Sequence, residues 1–229
     1  MADSEKFPIA VLISGRGTNL KALIDYQDHS LYQIAVVVSN NPDAEGLEVA
    51  QFAGIATEVL DSKGFDDREA YDQALVKTLA PYSVKAVIMA GFMRILTKAF
   101  IAEFEGRMLN IHPSLLPKYP GLHTHERALE AGDAEHGLSI HFVTEELDAG
   151  PLLLQATLDI EDDDTADTLK SRVQKMEHEA YPLAVNLLAR GDFAYQNHQA
   201  CFRGQPLKGP IMLNKLQALM QQHHASDAH

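Results

Sequence analysis

Two side chains that could act on a carbonyl group, Asn110 and His112, stand two residues apart in the run 108–112. The rest of that run is apolar, which favours a short strand. Side chains two apart on a strand point to the same face, so an amide donor and a titratable imidazole would project together. Such a pair can stabilise a developing oxyanion and move a proton. The alternative is a strand end whose Asn and His only satisfy neighbouring backbone groups.

Prolines at positions 113, 117 and 120 follow this strand directly. Proline has no N–H to donate to a sheet, so strand pairing should stop right after His112. The sequence therefore predicts a strand end that opens into a stiff loop, with both polar side chains at its edge.

Asp148 lies in the turn 148–151, which contains glycine and proline and separates two further strand-like segments. If it meets His112, its carboxylate would favour the imidazolium form of that side chain. The alternative is an ordinary turn aspartate. The sequence contains no GxSxG elbow and no plausible cysteine nucleophile, so a covalent acyl-enzyme is disfavoured. We therefore expect direct acyl transfer between two bound substrates.

A glycine-rich loop, residues 14–19, follows a short apolar run and precedes a helix. Gly15 and Gly17 would let backbone amides face a phosphate, and Thr18 and Asn19 would add side-chain donors at the helix N-terminus. The sequence therefore favours a phosphate site here, with a purely structural tight turn as the alternative.

An NAD site fits the same loop poorly. The loop lacks the third glycine of a dinucleotide fingerprint, and the second strand ends in Ser39, Asn40 and Asn41. A dinucleotide site needs an acid at the end of that strand to hold the ribose. NAD binding is therefore disfavoured.

The elements that must position these residues alternate between strand and helix. Apolar runs indicate strands at 9–13, 34–38 and 86–90, and 57–60 could form a further short strand. Helical patterns lie at 20–24, 43–53, 66–79 and 98–103. This alternation predicts an α/β fold with a mostly parallel twisted sheet and helices on both faces. The turn 91–96 should then lie at the carboxyl edge of the sheet, where such folds bind ligands. Its Met93, Ile95 and Leu96 could line a pocket for a flat aromatic ligand, or could simply pack in the core.

The pattern changes in the C-terminal half. After a helix at 123–131, two strands at 138–143 and 152–160 are expected to pair antiparallel. A helix from about 165 to 189 follows. We expect one domain over 1–190 and a tail over 191–229 with a short amphipathic helix, packed on the domain or partly frayed.

Composition excludes several classes of protein. With 32 acidic and 19 basic residues in 229, the net charge is -13, which argues against a nucleic-acid surface. The one cysteine, Cys201, excludes an internal disulfide and suits a reducing compartment. Residues 1–6 lack the features of a secretory signal, and no apolar run is long enough to span a bilayer. We expect a soluble cytoplasmic protein with neither nucleic-acid nor membrane partners.

A metal site is also disfavoured. Its candidate ligands would be the histidines at 112, 123, 125, 136, 141 and 178, but no pair of them has the i, i+4 spacing of a zinc protease helix. His136 and His178 are expected to be surface or structural residues.

Four motifs occur in one order: Ser-Gly-Arg-Gly-Thr-Asn-Leu at 14–20, Ala-Gly-Phe-Met-Arg-Ile-Leu at 90–96, Asn-Ile-His-Pro-Ser-Leu-Leu-Pro at 110–117 and Leu-Asp-Ala-Gly-Pro at 147–151. As a set they resemble the folate-dependent phosphoribosylglycinamide formyltransferases, also called glycinamide ribonucleotide transformylases, over roughly the first 190 residues. The resemblance implies a Rossmann-like formyltransferase fold and transfer of a formyl group from 10-formyltetrahydrofolate to the amine of phosphoribosylglycinamide in purine synthesis. It implies these small-molecule partners, no metal, and a monomer or homodimer.

The resemblance also implies roles for individual residues. Asn110, His112 and Asp148 match the catalytic positions of the family. The ribonucleotide would be held by Gly17, Thr18, Asn19 and Glu177, and the folate by Arg68, Met93, Arg94, Ile95, Leu96 and Asn110. The segment 145–150 resembles the loop around the pteridine.

Three rival functions fit less well. A 10-formyltetrahydrofolate hydrolase carries an additional N-terminal regulatory domain, for which a first strand beginning near Phe7 leaves no room. A methionyl-tRNA formyltransferase is longer and would need a basic surface. A regulatory module would use only the loop 14–19, binding phosphate without folate-dependent turnover.

Overall fold

The structure, a computed structural model, describes residues 6–226, with side chains described as far as residue 221. The first five residues of the segment analysed for a secretory signal lie outside the described residues. So do the side chains of His223 and His224 in the polar end of the tail.

Short apolar runs form the strands, because β-branched and aliphatic side chains pack well on a pleated surface. The strands in the described part are β1 Phe7–Ile13, β2 Tyr32–Ser39, β3 Thr57–Val59, β4 Ala86–Met89, β5 Met108–His112, β6 Glu135–Phe142, β7 Leu152–Asp159, β8 Phe193–Gln196, β9 Gln199–Phe202, β10 Gln205–Pro206 and β11 Ile211–Met212. The helices are α1 Thr18–Gln27, α2 Glu45–Phe52, α3 Arg68–Leu79, α4 Lys98–Glu103, α5 Thr124–Glu130, α6 Ala166–Arg190 and α7 Leu213–Ser226.

The main sheet has eight strands in the order β11-β7-β6-β5-β4-β1-β2-β3. Strands β3, β2, β1, β4 and β5 are parallel to one another, whereas β6 pairs antiparallel with both β5 and β7. The expected α/β fold, mostly parallel with antiparallel strands added in the C-terminal half, is confirmed. The change from parallel to antiparallel pairing occurs at strand β5.

Helices cover both faces of this sheet, as alternation along β1 makes clear. Ile9, Val11 and Ile13 pack on one face with residues of α1, α2 and α6, such as Leu20. Ala10 and Leu12 pack on the other face with residues of α3 and α4. Burial on both faces explains why β1 is a continuous apolar run rather than an alternating one.

The first residues of some helices differ from the expected ones by one or two positions, because a capping side chain determines where the helix begins. Helix α3 starts at Arg68 rather than at 66, because the Asp67 side chain accepts a hydrogen bond from the N–H of Ala70. Helix α6 starts after Thr165, whose side chain forms a capping box with Thr168.

The tail holds strands that the sequence did not predict. Strands β8, β9 and β10 form a small antiparallel sheet, and β11 pairs with β7 at the edge of the main sheet. Phe193, Cys201 and Leu216 are buried, so the tail packs on the domain as far as these residues. The turn between β8 and β9 has a left-handed backbone at both Asn197 and His198, the geometry of a tight hairpin.

Within residues 6–226, no helix combines the length and the apolar character that crossing a membrane requires.

Candidate active site

The candidate catalytic residues lie on and around β5. In the register of the sheet, Asn110 is paired with Met89 of β4 on one side and with His141 of β6 on the other. His112, two residues further on, is opposite Ser139 of β6. Asn110 and His112 therefore lie on one face of β5, near its C-terminal end. Strand β5 is paired in parallel with β4 on one side and antiparallel with β6 on the other.

His112 is buried, and both of its ring nitrogens face acceptors. Nε2 lies 2.8 Å from the carbonyl oxygen of Tyr119, in the proline-rich loop. Nδ1 lies 3.5 Å from Oδ2 of Asp148. The Asp148 side chain is only 7% exposed, so this charge is poorly screened by water. The structure thus brings Asp148 and His112 together.

Backbone geometry fixes Asp148 in this position. Its φ is 53°, in the left-handed region that aspartate tolerates better than most residues. Its Oδ2 also accepts a hydrogen bond from the N–H of Gly121 at 2.8 Å. A side chain at Gly150 would place Cβ 1.8 Å from the carbonyl oxygen of Phe142, so only glycine lets the turn lie this close to β6.

His141 connects Asn110 with Asp148, and sequence analysis considered it only as a metal ligand. Its Nδ1 lies 2.8 Å from the carbonyl oxygen of Phe142 and is therefore assigned the proton. Its Nε2 then accepts from Nδ2 of Asn110 at 3.3 Å and lies 3.8 Å from Oδ1 of Asp148. Burial lowers the pKa of His141, which keeps the ring neutral and able to accept. The signal that could have found it is the register that places it opposite Asn110.

The loop 14–19 approaches α2 so closely that two glycines are required. Gly17 has φ 74°, and a Cβ there would lie 2.6 Å from Cα of Gly46. Gly17 also caps α1, whose first backbone N–H groups have no partners within the helix. The loop therefore presents a helix N-terminus of the kind that binds phosphate. Gly46 was missed by sequence analysis, since its role depends on this contact.

The side chains of Thr18 and Asn19 are tied to α6. Oγ1 of Thr18 accepts from Nε2 of Gln174 at 2.8 Å, and Nδ2 of Asn19 donates to Oε2 of Glu177 at 2.9 Å. Burial raises the pKa of Glu177, and the hydrogen bond from Asn19 partly opposes that effect. Oδ1 of Asn19 is buried without a protein partner. Besides its backbone amides, the loop therefore keeps two side-chain donors, the hydroxyl proton of Thr18 and the second N–H of Asn19.

The loop 14–19 forms one wall of a cleft of about 320 Å³, which we call the first cleft. Helix α6 forms the opposite wall with Lys170, Gln174 and Glu177, at helical positions i, i+4 and i+7. Lys170 forms no hydrogen bond or ion pair within the described residues. Lys170 and Gln174 were not predicted from sequence, although their spacing from Glu177 indicates a shared helix face.

A second cleft, of about 50 Å³, lies on the other side of β5. Its lining includes Asn110, Asp148 and His141, together with Arg94, Ile95, Leu96 and residues 143–147. The Arg94 guanidinium lies 4.1 Å from the centre of the Tyr71 ring, and its Nε is buried without a partner. A lining that mixes apolar side chains with polar ones and an unsatisfied donor suits a flat ligand that carries polar groups.

Two of the proposed folate-contacting residues lie outside the second cleft. Met93 is 67% exposed and lines the first cleft instead, so the turn 91–96 contributes to both. Arg68 is exposed at the start of α3, one helical turn before the Tyr71 ring that underlies Arg94. Ile95 is about half exposed and Leu96 is buried.

The remaining histidines of interest form a buried pair beside the first cleft. Nδ1 of His125, which lines that cleft, lies 3.0 Å from Nε2 of His136. Burial, with a smaller contribution from His136, lowers the pKa of His125 to about 4. His136 is a buried structural residue rather than a surface one. No group of three or more candidate ligands for a metal ion occurs within residues 6–226.

Comparison with known proteins places this chain in a family. Residues 7–185 match the family described as formyl transferase. The Escherichia coli phosphoribosylglycinamide formyltransferase is 51% identical over 201 residues, which cover 87% of this chain and 95% of that protein. The human trifunctional purine biosynthetic protein adenosine-3 is 44% identical over 191 residues, or 82% of this chain and 19% of that protein.

Solved structures agree. The Coxiella burnetii phosphoribosylglycinamide formyltransferase, solved in complex with CHES, has a TM-score of 0.87 and 49% identity, and the match covers 90% of this chain and all of that one. A Symbiobacterium toebii glycinamide ribonucleotide transformylase has a TM-score of 0.84 and 39% identity, over 87% of this chain and 95% of that one. The resemblance inferred from the four sequence motifs is confirmed, and so is the expectation of an enzyme. The chain belongs to the phosphoribosylglycinamide formyltransferases, within the formyl transferase family.

Proposed function

We propose that this enzyme transfers the formyl group of 10-formyltetrahydrofolate to the amine of phosphoribosylglycinamide, as a step of de novo purine (IMP) synthesis. The observation that carries the proposal is the position of Asp148. Its carboxylate lies 3.5 Å from Nδ1 of His112 and lines the second cleft together with Asn110. Asn110 and Asp148 thus line the cleft suited to a flat ring, and the cleft suited to a phosphate lies on the other side of β5.

The ribonucleotide occupies the first cleft in this proposal. Its phosphate binds the backbone amides at Gly17, Thr18 and Asn19, where the N-terminus of α1 adds a favourable dipole. Glu177 faces the same cleft and is held by Asn19, so it is placed to contact the sugar or the amine. Lys170 adds a positive charge to the opposite wall.

The folate occupies the second cleft. Ile95 and Leu96 supply apolar surface, and the orphaned Nε of Arg94 is a donor that a polar group of the ligand can satisfy. A volume of about 50 Å³ holds little more than a water molecule or two. Entry of the folate therefore displaces the segment 144–147, whose residues 145–147 are exposed, while Asp148 keeps its contact with His112. Arg68 and Met93, which lie outside this cleft, contact the part of the ligand that extends beyond it.

Asn110 stabilises the oxyanion that forms when the amine attacks the formyl carbon. An asparagine amide nitrogen carries two N–H groups. One is used by Nε2 of His141, which orients the amide, and the other is available to the tetrahedral intermediate. Because His141 fixes the amide before the substrate arrives, the donor needs little reorganisation during the reaction.

His112 contributes as an imidazolium. Its Nε2–H donates to the carbonyl of Tyr119, so protonation of Nδ1 points the second N–H at Asp148. The positive charge then lies beside the developing oxyanion, and the carboxylate stabilises that charge. Asp148 also assists transfer of the proton from the attacking nitrogen towards the leaving folate nitrogen.

The proposal includes the remaining expectations from sequence. The partners are small molecules, no metal takes part in the reaction, and the enzyme acts in the cytoplasm as a monomer or homodimer. A single buried cysteine suits that compartment.

A formyl-transfer assay tests the proposal. The purified chain is incubated with 10-formyltetrahydrofolate, with and without phosphoribosylglycinamide, while release of tetrahydrofolate and formylation of the amine are measured. The proposal expects release that depends on the amine and equals its formylation. Release without the amine would identify a hydrolase, and no release with either acceptor would identify a binding module.

A further inference from the structure

Ser14 joins the two clefts through its hydroxyl group. Oγ accepts a hydrogen bond from the backbone N–H of Met93 at 2.8 Å, and it donates its own proton to Oδ1 of Asn40. Ser14 begins the loop 14–19 of the first cleft, and Met93 belongs to the turn 91–96 that continues into the second cleft. One side chain therefore connects the walls of both.

Asn40 sets the direction of that hydroxyl. A serine hydroxyl has one proton and two lone pairs. Because the proton is directed at the side-chain oxygen Oδ1 of Asn40, a lone pair of Oγ faces the N–H of Met93. The neighbouring Asn41 fixes the backbone as well, since its Nδ2 donates to the carbonyl oxygen of Ser14 at 3.2 Å. The end of β2, which would carry a ribose-binding acid in a dinucleotide site, thus serves an internal contact here.

We propose that Ser14 is a positioning residue that couples the two clefts, so that ribonucleotide bound at the loop 14–19 tightens the binding of folate at residues 94–96. The inference rests on the proposed function of these clefts. Phosphate binding fixes the backbone of the loop, and the Ser14 hydroxyl extends that constraint to Met93. The next residues, Arg94 and Ile95, face the second cleft. The first ligand then meets the conformational-entropy cost of ordering these residues, and the second ligand binds without that cost.

The size of the coupling follows from the single hydrogen bond that carries it. One net hydrogen bond corresponds to a change in affinity of roughly two- to tenfold. Linkage requires the effect to be reciprocal, so folate must tighten ribonucleotide binding by the same factor. This reciprocity is a property of dissociation constants, and the test therefore measures binding.

Calorimetry with an unreactive pair provides the measurement. Tetrahydrofolate and phosphoribosylglycinamide cannot react, because no formyl group is present. The Kd of tetrahydrofolate is measured alone and with saturating ribonucleotide, and the reverse titration checks reciprocity. The unsubstituted chain should show a tightening of roughly two- to tenfold. Ser14→Ala and Asn40→Leu should abolish it, whereas Asn40→Asp, which keeps an acceptor oxygen, should retain it.

A matched control removes a different hydroxyl. Ser30→Ala deletes a buried hydroxyl that donates to backbone carbonyls at Gln27 and Tyr32, at the opposite end of β2. This variant should couple the two ligands as the unsubstituted chain does. If Ser14→Ala does not fold, the coupling factors of Asn40→Leu and Asn40→Asp are compared instead, and equal factors would refute the positioning role.

Two results would overturn the coupling. The first is that neither ligand changes the Kd of the other in the unsubstituted chain. The second is that the Kd changes by the same factor in the unsubstituted chain and in all variants. Formyl transfer by the unsubstituted chain is measured in parallel. Its failure would refute the proposed function, whereas normal turnover with unchanged coupling in Ser14→Ala would refute only the positioning role.

Discussion

The amide nitrogen of Asn110 donates to Nε2 of His141 across the β5–β6 pair, at 3.3 Å. This contact fixes the amide with its second N–H free. Replacing Asn110 by Ala removes the proposed oxyanion donor, and loss of such a donor typically lowers kcat by about a hundred- to a thousand-fold. Steady-state kinetics of formyl transfer, with circular dichroism to verify folding, checks this. Near-normal turnover in Asn110→Ala would remove the amide from the mechanism.

His141 should matter through the orientation it gives to Asn110. His141→Leu leaves the Asn110 amide without its acceptor, and we expect kcat to fall by roughly tenfold, the scale of one hydrogen bond. In the Asn110→Ala background the same substitution should have a much smaller effect, because there is no amide left to orient. Fully additive effects in this double-mutant cycle would show that the two residues act separately.

Asp148→Asn separates the charge of the carboxylate from its structural role. Asparagine tolerates the left-handed backbone at this position, and its Oδ1 can still accept from the N–H of Gly121. Loss of the charge beside His112 should lower kcat by about a hundred- to ten-thousand-fold with little change in thermal stability. Asp162→Asn, at an exposed position that lines neither cleft, is the control for the same change in net charge. Retained activity in Asp148→Asn would argue against electrostatic assistance.

Gly17→Ala should weaken the ribonucleotide site and the fold together. The added Cβ would lie 2.6 Å from the backbone of Gly46, and the φ of 74° is strained for alanine. We expect a loss of about 1–3 kcal/mol in the free energy of unfolding and a raised KM for phosphoribosylglycinamide. Gly15→Ala is the matched control, since a Cβ there meets no atom within 4 Å. Equal stability of the two variants in denaturant titrations would contradict the close approach.

Lys170 should contribute to binding through its charge alone. Lys170→Ala is expected to raise KM for the ribonucleotide by about two- to fivefold, the range of an exposed ion pair, and the difference should shrink as salt is added. Lys175→Ala, on the same helix but outside the first cleft, should leave KM unchanged. A KM effect independent of ionic strength would point to packing instead of charge.

The buried pair of His125 and His136 makes stability depend on pH. Burial lowers the pKa of His125 from 6.5 to about 4, so between these values the unfolded chain binds a proton that the folded chain does not. The contribution of His125 to the free energy of unfolding is therefore complete above pH 6.5 and is lost as the pH is lowered towards 4. Denaturant titrations should show a shallower fall for His125→Gln. Above this window the pH dependence of the two proteins should coincide, and equal slopes within it would refute the assignment.

Much of this fold follows from sequence because each run of residues carries its own periodicity. Continuous apolar runs such as 9–13 and 86–90 predict strands buried on both faces, and their alternation with helical patterns predicts the parallel sheet. The tail could not be predicted this way. Strands β8 to β11 are two to four residues long, too short for any periodicity, and the left-handed turn at Asn197 and His198 contains no glycine.

The site divides in a similar way. Strand alternation alone places Asn110 and His112 on one face. No local sequence pattern predicts that the Asp148 side chain contacts His112 in the folded chain. His141 was missed as their partner because it depends on the register between β5 and β6. Gly46 and Lys170 were missed for the same reason, since each acts through a contact between elements distant in the chain. Residues whose role depends on tertiary register are those that sequence reasoning finds last.

The pairing of β11 with β7 has a consequence for biosynthesis. Residues 211–212 are translated more than fifty residues after the end of β7 at Asp159. At ribosomal rates of about 5–20 residues per second, the outer edge of β7 stays unpaired for roughly 3–10 s until β11 has been synthesised. During that interval the nascent chain exposes unpaired backbone N–H and C=O groups, to which another chain can add. Chaperone demand during synthesis should therefore be greatest just before the last strand emerges.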